Sequence, residues 1–208
     1  MGMYSKANIL TEVRNILNEP AALFWSDDEI NEWIDQAAVD ISSKAMCVEA
    51  SGALTLASGT LEYAEPTDCI KVYAVVYGNR GLLKIHPRQL ARITATASGA
   101  PQYYYHFAGN IGIYPVAGAT ESGGSVTVLY SKETDDIAEV PDEYQPYAIL
   151  FAAARAKLKD QKFDQATQLT VQYLNSLIFH RQDLYERGVE SKDMVRIPDR
   201  TVVVGQGK

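Results

Sequence analysis

Apolar residues recur with helical spacing at both ends of the chain and lose that spacing in the middle. Behind Ser5, a residue suited to capping a helix, one face carries Ile9, Leu10, Val13, Ile16 and Leu17. A second stripe, from about Asp27 to Met46, carries Ile30, Trp33, Ile34, Ala37, Ala38 and Ile41. The pattern predicts two N-terminal helices joined by the short connection that contains Pro20.

The middle of the chain, residues 50–136, changes to short β-favouring runs separated by turns. The runs ALTL (Ala53 to Leu56) and TLEY (Thr60 to Tyr63) flank Ser58-Gly59, which predicts a hairpin. The strongest strand signal is CIKVYAVVY, and weaker strand signals are LLKI and SVTVLYS. The runs PQYYYHF and IGIYPV are predicted to pair across Ala108-Gly109-Asn110, and HPRQLARIT favours one helical turn. Six or seven short strands at this spacing predict a small antiparallel sheet or barrel.

Helical spacing returns in the last third of the chain. The segment from Asp142 to Asp160 is rich in alanine, which lets a neighbouring helix approach and favours a central place in a bundle. The last predicted helix ends near Gly188, and its apolar face carries Phe163, Ala166, Thr170, Tyr173, Leu174, Leu177, Arg181 and Leu184. The sequence therefore predicts an α+β protein: residues 1–49 and 137–188 form a four-helix domain, residues 50–136 an inserted β domain, and residues 189–208 a C-terminal tail.

Composition and charge narrow the possible functions. The chain has 208 residues, 47% apolar and 22% charged, as in ordinary soluble globular proteins. Its 19 Lys and Arg face 26 Asp and Glu, a formal net charge of −7, so the protein as a whole should repel a phosphate backbone. The N-terminus lacks a signal-peptide pattern, and no apolar run approaches the roughly 20 residues that cross a bilayer. We therefore expect no membrane partner, and a chain that stays in the cytoplasm or leaves it inside a larger particle.

The stretch FWSDDEINEWIDQA combines both tryptophans with a cluster of carboxylates. Ser26 and Glu29 fit a capping box, in which each side chain accepts a hydrogen bond from the backbone N–H of the other residue. Trp25 and Ile30 are placed to form a hydrophobic staple, and Trp33 to anchor the apolar stripe that follows. The alternative is a carboxylate pair for acid–base catalysis or a divalent metal; it is disfavoured because adjacent helix positions point in different directions.

Motifs for catalysis, cofactors and metals are missing from the sequence. His86, His106 and His180 fall in a predicted loop, strand and helix without metal-ligating spacing. Cys47 and Cys69 lack CxxC spacing and are predicted to be buried, reduced thiols. The final GQGK lacks the full phosphate-loop pattern. We therefore expect no cofactor, no metal and no enzymatic activity.

Two features are candidates for protein contacts. The run Tyr103-Tyr104-Tyr105 alternates along a predicted strand, so the outward rings, assigned to Tyr103 and Tyr105, are interface candidates; stacking on nucleic-acid bases is the alternative. The acidic loop SKETDDIAEVPDEY contains Asp135 and Asp136 and is either a solvated connection or a docking loop.

The C-terminal tail is a third candidate because it ends in a β-favouring run that includes Val202, Val203 and Val204. Such a run can add a strand to a neighbouring protein. A disordered terminus is the alternative.

Five motifs follow one another in a specific order: FWSDDEINEWIDQA, EYAEPTDCIKVYAVVYGNRGLLKIHPRQL, GAPQYYYHFAGNIGIYPVA, SVTVLYSKETDD and VPDEYQPYAILFAAARAKLKD. Taken together, over roughly residues 5–187, they resemble the head-to-tail adaptor (head completion, or connector) proteins of tailed bacteriophages. The resemblance is to the larger type with a β insertion, found in short-tailed phages and related prophages.

The resemblance implies a structural virion protein at the head–tail junction, made in the host cytoplasm. Such adaptors associate into a ring, usually of twelve subunits, beneath the portal protein. They extend the channel through which genomic DNA passes without specific binding, and they give tail tube, nozzle or fibre proteins a platform. The alternatives are another connector, such as a stopper or tail-completion protein, or a virion-associated cell-wall hydrolase.

Overall fold

The computed structural model describes residues 4–92 and 97–190. In chain order the elements are α1 (Lys6–Leu17), α2 (Asp27–Ala45), β1 (Glu49–Thr55), β2 (Glu62–Ala64), β3 (Cys69–Tyr77), β4 (Arg80–Gly81), β5 (Leu83–Lys84), a 3₁₀ helix (Pro87–Arg92), β6 (Tyr103–Phe107), β7 (Asn110–Tyr114), β8 (Ser125–Lys132), α3 (Gln145–Lys159) and α4 (Phe163–Glu190). Helices lie at both ends of the described chain and the strands lie between them. The protein is therefore α+β, as the sequence predicts.

Both N-terminal helices begin at a serine. The Ser5 Oγ accepts a hydrogen bond from the Asn8 N–H at 3.2 Å, at the start of α1. At the start of α2, the Ser26 Oγ accepts from the Glu29 N–H, and the Glu29 carboxylate accepts from the Ser26 N–H, both at 3.2 Å. The capping box predicted from these two residues is thus present, and it satisfies backbone donors that a helix start leaves free.

The alanine-rich helix α3 packs against α1, α2 and α4, which confirms its predicted central place. Small side chains on its inner faces allow this close approach. The buried residues of this helical core include Ile9, Val13, Leu17, Trp25, Ile30, Ile34, Ala37, Ala38, Ile41, Ala148, Ala152, Ala156, Tyr173 and Leu177. Trp25 and Ile30, the predicted staple, both belong to it. Trp33, predicted to anchor the stripe of α2, is only partly buried and packs at the edge of this core.

The inserted β region consists of two four-stranded sheets. The first has the strand order β1-β8-β3-β4 and the second β2-β7-β6-β5. Neighbouring strands are antiparallel except for β5 and β6, which are parallel. The sheets share one hydrophobic cluster, to which the first contributes Val72, Val75, Val126 and Val128, and the second Tyr104, Ile111 and Ile113.

The hairpin predicted across Ser58-Gly59 is wrong. Strand β1 pairs with β8, for example Ala53 with Thr127, whereas β2 pairs with β7 in the other sheet. Gly59 does form a turn, with a φ of +73°, but the turn leads the chain from one sheet to the other. The pairing with β8 is favoured because it gives β1 seven paired residues, whereas a local hairpin would give about four.

The acidic loop after β8 joins the β region to the helices. Ile137 and Val140, on this loop, are buried in the helical core. The Thr134 N–H donates to the Ser42 Oγ of α2 at 3.2 Å, and the Lys132 N–H donates to the Val48 carbonyl at 2.8 Å. The loop is therefore more than a solvated connection. The predicted domain boundaries at residues 49/50 and 136/137 stay a prediction.

Candidate interaction surfaces

Tyr105 is buried, so its predicted role as an outward-facing ring is wrong. Tyr104 and Tyr105 are each 2% exposed. Tyr104 faces the first sheet, where its hydroxyl donates to the Tyr73 carbonyl at 3.2 Å. Tyr105 covers the other face of its own sheet and donates to the Glu62 carboxylate at 2.7 Å. Burial and this carboxylate raise the pKa of Tyr105 above its ordinary value.

The reason for this burial is Gly112, which pairs with Tyr105 across β6 and β7. A Cβ atom at position 112 would lie 2.0 Å from the ring of Tyr105, so the ring occupies the space that a side chain would need. Glycine inside a strand often marks such a close approach, and this was the available sequence signal. Tyr103 is half-buried, and its ring centroid lies 6.4 Å from that of Tyr114. Only Tyr103 of the two candidates therefore reaches the surface.

A basic cleft lies beside β5 and β6, and no motif in the sequence indicates it. It has a volume of about 930 Å³ and is lined by Lys84, His86 and Arg88 together with His106 and Phe107. Phe107 is 62% exposed at the end of its strand. The lining comes from two short segments, residues 84–88 and 106–107, and the parallel pairing of β5 with β6 brings these segments together.

The acidic loop holds Asp135 and Asp136 at the surface, where both are exposed. The backbone beneath them is fixed, because the Asp136 N–H donates to the Thr134 Oγ1 at 3.2 Å and the Lys132 ammonium pairs with the Glu139 carboxylate at 2.6 Å. The hydrogen bond from Lys132 holds the pKa of Glu139 below its ordinary value. The arrangement presents carboxylates to a partner with little left to order on binding.

Arg14 organises the loop between α1 and α2. It is 6% exposed and pairs with the Asp27 carboxylate, while also donating to the carbonyls of Glu19 at 3.3 Å and Trp25 at 3.1 Å. The Glu19 carboxylate in turn accepts backbone N–H bonds from residues 23, 24 and 25. Burial alone would raise the pKa of Glu19, but these donors and Arg14 outweigh it and lower the pKa. Helical spacing gave no sign of this role.

The loop that Arg14 and Glu19 hold presents apolar side chains to the solvent. Leu23 is 85% exposed and Phe24 is 54% exposed. The Phe24 ring packs edge-on against Trp25, with centroids 5.0 Å apart, and the Lys159 ammonium lies 5.4 Å from its centroid.

On α4, the structure exposes three residues that the predicted apolar face would bury, Phe163, Thr170 and Leu174. Phe163 is 63% exposed and Leu174 is 37% exposed, whereas Ala166, Tyr173 and Leu177 are buried against the other helices. The side chains of Arg181 and Leu184, and the tail residues Val202, Val203 and Val204, lie outside what the structure describes.

The described part of the chain contains no cluster of side chains that could bind a metal ion. Within residues 4–92 and 97–190, no group of three or more His, Cys, Asp or Glu is placed to hold a metal ion. Cys47 and Cys69 are free thiols and are only partly buried, so the prediction that they are buried is wrong. The partial burial still raises the pKa of each to about 11, so both are protonated at neutral pH. None of the helices in the same residues has the length and apolar character needed to cross a membrane.

Comparison with known proteins gives one clear result. No curated protein matches the chain with significant similarity. The family model of the SU10 adaptor protein matches residues 5–193, which is most of the sequence, and it agrees with the resemblance that the five motifs carry. The chain therefore belongs to the SU10 adaptor protein family, a family of bacteriophage head-to-tail adaptors.

Proposed function

We propose that the protein forms a ring, of about twelve subunits by the family resemblance, beneath the portal protein of a tailed phage. The ring extends the DNA channel and gives tail tube, nozzle or fibre proteins an attachment platform. The observation that carries the proposal is the family match over residues 5–193. A structural role also fits the described residues, whose exposed features suit contacts with other proteins.

The charge of the chain suits a channel for DNA. A net charge of −7 gives genomic DNA no electrostatic reason to bind the subunit, so DNA can slide through the lumen. The basic cleft beside β5 and β6 is local and does not reverse this balance.

The acidic loop supplies a contact for a basic protein partner. Asp135 and Asp136 are exposed on a backbone that hydrogen bonds already fix. We assign them to contacts with basic residues of the portal or a tail protein, because complementary charge steers such encounters and speeds association. Tyr103, half-buried at the surface of the second sheet, stays a further contact candidate.

The C-terminal tail supplies a second contact. Val202, Val203 and Val204 are β-favouring residues, and a strand that they add to a neighbouring subunit or the portal would tie the ring in place.

The test is to mix the purified protein with portal rings and examine the mixture by negative-stain microscopy. We expect a second ring stacked on each portal. The double variant Asp135→Asn with Asp136→Asn should stack less, while Glu12→Gln with Asp28→Asn, which removes the same charge from other exposed positions, should stack as the wild type does. Deletion of residues 191–208 should weaken stacking and leave the melting temperature nearly unchanged.

Failure to associate with any portal, combined with release of fragments from a cell-wall substrate, would reject the adaptor function in favour of a hydrolase. Attachment at the far end of an already assembled connector, with none on bare portal, would indicate a stopper or tail-completion protein instead.

A further inference from the structure

The middle of α4 has a composition unlike the rest of the chain. Residues 165–179, QATQLTVQYLNSLIF, contain no Asp, Glu, Lys or Arg, although 22% of the whole chain is charged. This stretch is on the protein surface, since most of its residues are exposed. An exposed, charge-free helix is unusual because surface helices normally carry charged side chains on their outer side.

One side of this helix forms an apolar stripe, which we call the α4 face: Phe163, Thr167, Val171, Leu174 and Ile178. The spacing of three or four residues places these side chains above one another. Phe163, Val171, Leu174 and Ile178 are 63%, 50%, 37% and 52% exposed. The Thr167 hydroxyl donates to the Phe163 carbonyl at 2.8 Å, so its polar atom is already satisfied. The α4 face therefore requires few new hydrogen bonds from a partner.

The α4 face lies beside the stripe that the subunit does cover. Ala166, Tyr173 and Leu177 on that neighbouring stripe are buried against the other helices. The helix is thus apolar on two adjacent stripes, of which its own fold covers one. A helix that is apolar over so wide an arc is normally enclosed on both stripes.

The packing of α3 explains why the subunit leaves this face open. Helix α3 packs along the first half of α4 on the neighbouring stripe, where Phe151 and Tyr173 have ring centroids 5.5 Å apart. A groove of about 300 Å³ runs along the junction of α2, α3 and α4. Its lining is apolar at Phe151, Leu158 and Leu174 and charged at Asp40, Lys44 and Arg155, of which Asp40 and Lys44 pair with each other. Leu158 is 42% exposed and extends the apolar surface beyond α4.

We propose that the α4 face binds a second copy of this chain. The argument is charge: each copy carries a net charge of −7, so two copies repel, and a surface without carboxylates is where a second copy meets the least repulsion. A basic partner would gain most from the acidic loop, which lies elsewhere in the fold. This proposal rests on the proposed function and names the surface through which ring neighbours touch. In a closed ring the α4 face meets a different surface of the next subunit.

The size of the α4 face sets the strength of the contact. A stretch about 22 Å long and about 10 Å wide is smaller than the roughly 800 Å² per partner that stable complexes bury. Two isolated copies should therefore associate weakly, and closure of a ring adds further contacts.

The experiment compares Val171→Glu with Gln172→Glu by sedimentation velocity over a rising concentration series. Each variant replaces a neutral residue with glutamate, so the change in net charge is the same. The two positions are adjacent and exposed but point in different directions, and only Val171 lies on the α4 face. The wild type and Gln172→Glu should sediment faster as concentration rises. Val171→Glu should raise the dissociation constant by about tenfold or more, because the contact would bury an unpaired carboxylate.

A second variant separates the loss of apolar contact from simple repulsion. Ile178→Lys makes the chain less negative, so repulsion between copies falls, yet a lysine on the α4 face should also weaken association. Circular dichroism should show native helix content in both variants, since both positions are half-exposed or more. Unchanged association of folded Ile178→Lys, or of Val171→Glu, would overturn the proposal, and so would a wild type that stays monomeric at every concentration.

The same variants in the portal assay distinguish this proposal from the proposed function. A wild type that ignores the portal but self-associates through the α4 face would reject the adaptor function and keep the contact. Folded Val171→Glu that still forms complete rings on the portal would reject the contact and keep the adaptor function. If Val171→Glu lost binding to the portal but self-associated as the wild type does, the portal would bind the α4 face. That result would also overturn the proposal.

Discussion

Trp25 and Trp33 lie on either side of the first two turns of α2, and the fold uses them differently. Trp25 is 5% exposed, and its indole Nε1–H donates to the Ala156 carbonyl of α3 at 3.3 Å. Trp33 is only partly buried at the edge of the helical core. The tryptophan just before the cap therefore fixes α2 against the central helix.

Replacing each tryptophan with alanine tests this difference. Trp25→Ala should lower the free energy of unfolding by about 3–5 kcal/mol, because it leaves a cavity and loses the indole hydrogen bond. Trp33→Ala should cost clearly less, because solvent already reaches part of its ring. Urea denaturation of both variants gives the comparison. Equal losses would mean that the two tryptophans anchor α2 equally, and a larger loss for Trp33→Ala would make Trp33 the stronger anchor; either result contradicts the expected difference.

Local sequence patterns identified some of these residues and not others. Ser26, Glu29 and Ile30 could be assigned because a cap and a staple depend on spacings of a few residues. The partner of Trp25 lies 131 positions along the chain, and the burial of Arg14 depends on a loop that closes over it. Neither contact has a local signature in the sequence. Helical spacing therefore predicts Trp33 as the anchor of α2 and gives no indication that Arg14 is buried.

Gly112 is the position at which strand β7 depends most on having no side chain. Replacement by alanine would place a Cβ atom 2.0 Å from the Tyr105 ring, and the buried ring has little room to move. Gly112→Ala should therefore lower the free energy of unfolding by about 1–3 kcal/mol or more.

Gly81→Ala, in β4, is the matched control because a Cβ atom there meets nothing within 4 Å. We expect it to change stability by no more than about 0.5 kcal/mol. Thermal denaturation of both variants, with near-ultraviolet circular dichroism to follow the tyrosines, is the measurement. A neutral Gly112→Ala would mean that the ring of Tyr105 moves aside easily, and its assigned packing would be wrong.

The sheets show which strand contacts a sequence can predict. Strands β6 and β7 form the hairpin across Ala108-Gly109-Asn110 that the turn residues indicate. The pairing of β1 with β8 joins segments about 75 residues apart. The sequence signal for a local hairpin across Ser58-Gly59 favours a different partner for β1, and the local pattern contains nothing that rejects it. The prediction that Tyr105 faces outward rests on a strand with one solvated face. Both faces of β6 are covered, at Tyr104 and at Tyr105.

At the scale of the whole molecule, the two kinds of candidate contact differ in physical character. The acidic loop offers carboxylates on a fixed backbone, and the α4 face offers apolar side chains without charge. The order of helices and strands, and hence the fold class, could be predicted because it depends on periodicity. The open α4 face could not, because it depends on which stripe of α4 the other helices cover.

The dependence of self-association on salt follows from this difference. Between copies of net charge −7, repulsion acts over distances that salt screens to about 10 Å at 0.1 M, whereas apolar burial on the α4 face is not weakened by sodium chloride. Raising sodium chloride from low to moderate concentration should therefore strengthen self-association, measured by sedimentation as a falling dissociation constant. Ion pairs between copies would give the opposite slope, and the acidic loop with Asp135 and Asp136 would then be the surface that joins them.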